Sequence, residues 1–118
     1  MSKCLQHYAP GIAAAGRIKN IKNRQTLLKT LCCEKGFIDA VSECCWNITN
    51  NSVQLTAKQK AIKRKYLNKL SNLGATKGVS AAAKRQYLQK GGFPPLFPLL
   101  LGPIVTALTT LLAKKIIK

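Results

Sequence analysis

Residues 56–74 read TAKQKAIKRKYLNKLSNLG, and how this stretch folds decides the class of the whole chain. Ile62, Tyr66, Leu70 and Leu73 recur at i, i+4, i+8 and i+11 with Leu67 beside them, which is the period of one helix face. Lys58, Lys63, Arg64, Lys65 and Lys69 cover most of the remaining surface. Thr56 and Gln59 stand at the spacing of a capping box, in which the Thr hydroxyl accepts from the third helical N–H and Gln reaches back to the cap. Gly74 stands where a left-handed C-terminal residue is wanted. The pattern predicts one long basic helix. No strand alternation or internal repeat competes with it elsewhere, so the expected class is all-α.

Upstream, Leu27, Leu28 and Leu31 follow Ile21 at helical spacing, and Gly36 closes the pattern. Phe37, Val41, Cys44, Cys45 and Ile48 form a second apolar series with Trp46 on its flank, ending in the polar run Asn47 to Ser52. The two helices are expected to pack as a hairpin over 21–55. Residues 1–20 mix Pro10, Gly11, Gly16 and an Ala13-Ala14-Ala15 run, with little periodicity, and are expected to be a loosely ordered arm. Downstream, a linker leads to a smaller basic helix from Ala81 to about Lys90, which completes a basic helical region over 56–90 and ends at Gly91-Gly92.

The remainder, 91–118, is a Gly-Gly junction and an apolar C-terminal helical tail. Its 21 residues from Phe93 to Ala113 carry no charge, which meets the length rule for a membrane span. The prolines argue otherwise. Pro94, Pro95 and Pro98 suit an extended entry, and Pro103 biases Gly102 away from helix, leaving Pro103 to Lys118 as the uninterrupted piece. Its apolar part, Pro103 to Ala113, would reach only roughly 17 Å. Partial insertion into a membrane, docking on a partner and packing on the basic helices all remain open, with Phe93, Leu96, Phe97, Leu99, Leu100, Leu101, Ile104, Leu108, Leu111 and Leu112 as the docking residues.

Charge is distributed unevenly. Twenty Lys and Arg oppose three acids, for a formal +17, and a compact monomer of that charge repels itself unless a polyanion neutralises it. The acids Glu34, Asp39 and Glu43 fall within one ten-residue window, whereas 56–90 holds ten bases and no acid. A merely soluble helix would use Glu–Lys pairs at i, i+4, and this region has none. Lys58, Lys60, Lys63, Arg64, Lys65, Lys69, Lys77, Lys84, Arg85 and Lys90 are therefore the expected phosphate contacts, with Tyr66 or Tyr87 adding stacking. No zinc-finger spacing, heptad zipper or strong helix-turn-helix signature is visible, so binding through the backbone is the expected mode.

Cys4, Cys32, Cys33, Cys44 and Cys45 are an odd number with no secretory-type apolar run before them, which disfavours a disulfide framework. Adjacent cysteines in a helix point about 100 degrees apart, so small buried apolar side chains are a better reading than a four-thiolate zinc site. His7 is the only histidine and has no acid nearby. Acid–base or metal-carboxylate catalysis is not expected, and no cofactor or metal is called for.

The stretch from Gly91-Gly92-Phe93-Pro94-Pro95 through Leu101-Gly102-Pro103-Ile104, preceded by Lys84-Arg85 and Lys90, resembles the C-terminal part of the adenoviral core protein X family, precursors of the mu peptide. There too a basic region runs into Gly-Gly and then a Pro- and Leu-rich tail. From the Val53-Gln54-Leu55-Thr56 cap onward the chain is also similar to basic proteins with a Lys-Gly-Gly-Phe junction in adenovirus-like Polintons and adintoviruses; the resemblance covers about the last 65 residues. It implies a virion core or minor capsid protein, in the virion and the host nucleus, that neutralises double-stranded DNA without reading its sequence. The tail would then dock on capsid proteins or an anionic membrane. Two positions depart from the family. The protease of those viruses cuts after Gly-Gly when Met, Leu or Ile stands two residues before the first Gly, where this chain has Gln89, and the arginine-dense block is replaced by a sparser Lys-rich helix. Composition leaves two other readings: a membrane-active lytic or entry protein, and a scaffold for an acidic protein partner.

Overall fold

A computed structural model describes residues 3–51, 53–75, 78–90, 92 and 95–107. Among them the fold is all-α: α1 (Lys3–Arg17), α2 (Ile21–Leu31), α3 (Lys35–Thr49), α4 (Ala57–Lys65), α5 (Leu67–Gly74), α6 (Ala81–Gln89) and a π-helical segment (Leu96–Leu101). Residues 102–107 continue it as helix. Lys77, Phe93, Leu108, Leu111 and Leu112 lie outside the described residues.

The centre is α3. Phe37, Ile38, Ala40, Val41, Cys44, Cys45 and Ile48 are buried along it, a wider face than the single stripe of a surface helix. It therefore takes α1 on one side and α5 on another. The α2–α3 hairpin expected from the sequence is not the organising contact: α2 packs instead against α1 and α6. Gly36 does not close α2, which ends at Cys32. It sits inside α3, where a Cβ would come within 2.5 Å of the Tyr8 ring, so this glycine admits the α1 aromatic. Tyr8 then meets Phe37 edge to face at 6.1 Å.

The segment expected to be a loose arm is a core helix. In α1, Leu5, Ala9, Ile12, Ala13 and Ala15 are buried, an amphipathic face built mostly from small residues in a stretch that also holds Pro10, Gly11 and Gly16. Pro10 is accommodated on the exposed side. Small size is the reason the face works. A Cβ on Gly16 would lie 2.7 Å from the Phe97 carbonyl oxygen and 2.9 Å from the Gly102 Cα, so α1 and the C-terminal segment pack backbone to backbone.

That packing also revises the tail. Leu96, Phe97, Leu100, Leu101 and Ile104, expected to dock on a membrane or partner, are buried in the same core together with Val105. Burying each large apolar side chain gains about 1.5–3 kcal/mol, and α1 supplies the covering surface within the chain itself. Gly102 is helical at φ −58°, ψ −58° despite the proline that follows; its lack of a Cβ removes part of the usual clash. No described helix is long and apolar enough to cross a membrane.

The predicted 56–74 helix turns at Tyr66 (φ −113°, ψ 25°) into α4 and α5. Hydrogen bonding continues on both sides, with Tyr66 N donating to Ile62 O and Leu70 N to Tyr66 O. The halves answer to different constraints: α5 buries Leu70, Leu73 and Gly74 against α3, while α4 buries no residue at all. Gly74 is not a left-handed cap. It remains in α5, where a Cβ would stand 2.7 Å from Trp46 N, so its role is close approach to the α3 backbone.

Candidate nucleic-acid interface

The capping box predicted at the start of α4 is present. Gln59 N donates to Thr56 Oγ1 at 3.2 Å, and Thr56 N donates to Gln59 Oε1 at 3.0 Å. Gln59 also donates through Nε2 to the Leu99 carbonyl at 3.2 Å, so the first turn of α4 is tied to the C-terminal segment. Val53, Leu55, Ile62 and Tyr66, each partly buried, fix the inner side of α4 on the core. With that side anchored, Lys58, Lys60, Arg64 and Lys65 stand exposed on the outside, followed by Lys69 on α5.

Lys63 is half-buried and donates from Nζ to Asn51 Oδ1 at 2.6 Å. Asn51 has φ 59°, a left-handed conformation that Asn tolerates because its short polar side chain bonds locally. Sequence reasoning does not single it out. The available signal is the Asn50-Asn51 pair directly after the α3 pattern, where a helix-ending residue of this conformation is common.

Two of the expected phosphate contacts are turned to other work. Lys84 Nζ donates to Ser42 Oγ at 2.8 Å and to the Ala75 carbonyl at 2.6 Å, and Ser42 in turn donates to the Leu73 carbonyl at 2.6 Å. Arg85 Nε donates to the Cys32 carbonyl at 2.8 Å. Ala75 and Cys32 are the C-caps of α5 and α2, so both cations serve helix C-termini, whose free carbonyls carry partial negative charge. In a chain with three acids, helix ends supply counter-charge that side chains lack. Lys90 is exposed at the end of α6, with its carbonyl accepting from Gln25 Nε2 at 3.0 Å.

The tyrosines are not open stacking platforms. Tyr66 is half-buried, and Lys65 and Lys69 place their ammonium groups 5.4 and 5.5 Å from its ring centroid. Tyr87 is half-buried with its hydroxyl fully covered and unbonded, and burial raises its pKa.

Three of the cysteines are core residues: Cys32, Cys44 and Cys45 are buried, while Cys4 is half-buried and Cys33 exposed. Among the described residues no three His, Cys, Asp or Glu side chains gather as a metal site would require. Burial pushes the Cys32 thiol up to about 11 and the Cys44 thiol up to about 12, and raises Cys45 as well. The unfolded chain ionises these thiols near pH 9.0 while the folded chain keeps them protonated, so the folded state binds more protons above that point. The stability these thiols contribute is therefore unchanged below about pH 9 and falls as pH rises towards 11, by up to about 1.4 kcal/mol per unit for each fully buried thiol. Denaturant titrations at stepped pH check this: the expected result is a midpoint that drops across that window, and a Cys44→Ala, Cys45→Ala variant that drops less.

The chain matches no protein-family model, no curated protein and no solved structure.

Proposed function

We propose that this protein is a non-enzymatic basic core protein that neutralises double-stranded DNA through the outer face of α4 and the start of α5, without reading sequence. The observation that carries the reading is α4 itself. Nine residues hold five cations, and none of the nine is buried. A helix about 13 Å long bearing that charge matches a duplex that offers one phosphate charge per about 1.7 Å of axis. Lys58, Lys60, Arg64, Lys65 and Lys69 are the phosphate contacts. Two features favour a duplex over a single strand: the tyrosines nearest the site are partly buried, so bases have little to stack on, and phosphate contacts need no aromatic platform. The Gly-Gly junction and Pro- and Leu-rich segment that follow support placing the protein in the virion of an adenovirus-like element.

The test is the salt dependence of binding to unrelated duplex sequences, followed by fluorescence anisotropy. Five phosphate contacts give a slope of log affinity against log salt of about −4 to −5, equal for every sequence. A slope near zero overturns the proposal.

A further inference from the structure

Cations outside the α4 interface gather on α2. Residues 19–31 hold four bases and no acid. One of the four, Arg24, is half-buried and donates to the Ile18 carbonyl from Nε at 3.1 Å and from Nη2 at 2.6 Å. Lys19, Lys22 and Lys29 are exposed. Within α2, Lys22, Thr26, Lys29 and Thr30 recur at i, i+4, i+7 and i+8, so they share one face, with the two lysines roughly 10 Å apart along it. The hydroxyls on that face are turned to the helix itself: Thr26 Oγ1 donates to the Lys22 carbonyl at 3.0 Å and Thr30 Oγ1 to the Thr26 carbonyl at 3.4 Å. The helix is peripheral, as α4 is. It buries Leu28 alone and rests on α1 and α6, whereas α4 buries nothing and rests on α5. With α3 packed between α1 and α5, core helices separate the two basic faces.

We infer that the outer face of α2 is a second duplex-binding surface, so that one copy of the protein bridges two DNA segments, one on α4 and the other on Lys19, Lys22 and Lys29. The inference rests on the duplex-binding proposal. Where the lysines stand argues for an anion: Lys22 lies in the first turn of α2, as Lys58 does in α4, and there the helix dipole disfavours a cation until a phosphate neutralises it. Lys84 and Arg85, by contrast, meet carbonyls at helix C-termini. The composition of the face favours a duplex over a lipid surface. An interfacial helix needs an apolar stripe to bury, and this stripe alternates lysine with threonine. Ile21 is exposed as well, but it lies about 100 degrees round the helix from Lys22. Three phosphate contacts against five make α2 the weaker surface. A duplex is therefore taken first on α4, and α2 engages a second segment where DNA is dense.

The experiment immobilises a short duplex, loads it with the full chain and passes a second, labelled duplex over it. The second duplex is expected to be retained, with a slope of log affinity against log salt of about −2.7 for three phosphate contacts. Replacing Lys19, Lys22 and Lys29 together with glutamine is expected to lower affinity for the second duplex about a hundredfold near physiological salt. The same variant keeps the wild-type slope for a single duplex and the wild-type melting temperature, because the three side chains are exposed and glutamine is a good helix former. Excess free protein coats each duplex separately, so it is expected to abolish retention if single copies form the bridge. Retention that survives excess protein or the triple substitution overturns the inference. So does a shallower single-duplex slope in the variant, which would place both helices on one duplex. Capture of phosphatidylserine vesicles but not of a second duplex overturns it too, and assigns α2 to a lipid surface. A chain that binds the first duplex and captures no second sinks the inference alone; a chain that binds neither sinks the duplex reading with it.

Discussion

Replacing Lys58, Lys60, Arg64 and Lys65 together with glutamine is expected to lower affinity for duplex DNA by about three orders of magnitude near physiological salt, and to reduce the salt slope by about 3.6. The magnitude follows from counterion release. Each cation withdrawn from a phosphate takes about 0.9 from the slope, and at about 0.15 M salt that is worth roughly fivefold in affinity. Folding should survive, because the four side chains are exposed on a helix with no buried residue and glutamine is a good helix former. Within the protein the change takes the Lys65 ammonium away from the Tyr66 ring, an attraction worth about 0.5–1 kcal/mol at such a site. The control lies on α6. Arg85→Gln also removes one charge, but it takes the donor from the Cys32 carbonyl, so it is expected to cost about 1–3 kcal/mol of stability while leaving the slope unchanged. Anisotropy titrations across salt, paired with denaturant melts, separate the two effects. If the quadruple variant kept the wild-type slope, α4 would not be the interface.

The difference between those cations marks where the sequence is legible and where it is not. Local signals read well. The Thr56–Gln59 box and the Phe37, Val41, Cys44, Cys45, Ile48 face depend on residues within a few turns of one another, and both are present in the fold. What a cation does cannot be read this way. Lys84 and Lys58 look alike along the chain, yet one is bound to the end of α5 and the other stands exposed, because helix C-termini attract cations only once tertiary packing brings them near. The same applies to the glycines. Sequence position alone makes Gly74 and Gly36 helix stops, whereas each is a point of close approach to a residue far away in sequence, Trp46 and Tyr8 respectively. In α1 the obstacle is the helix breakers. Leu5, Ala9, Ile12, Ala13 and Ala15 do share one face, but Pro10, Gly11 and Gly16 along the same stretch read as interruptions, although small residues are what let the C-terminal segment approach.

The C-terminal segment yields the other large expectation: a chain ending after Lys90 loses its cooperative thermal transition. Leu96, Phe97, Leu100 and Leu101 are fully buried, and Gly16 lies directly against Gly102 and the Phe97 carbonyl, so truncation uncovers the Ile12–Gly16 face of α1. A domain of this size has about 5–15 kcal/mol of stability in total, and removing a single buried Phe by Phe97→Ala already costs about 3–5 kcal/mol. That substitution alone should lower the melting temperature by roughly 15 °C or more. Truncation also cuts the Gln59–Leu99 hydrogen bond that holds the first turn of α4, so loss of the core and weakened duplex binding should appear together. Circular dichroism melts of the full and truncated chains decide the matter. An unchanged melting temperature after truncation would mean that the segment is an appendage free to enter a membrane; an abolished transition means that any such insertion must first dismantle the face on which α1 rests.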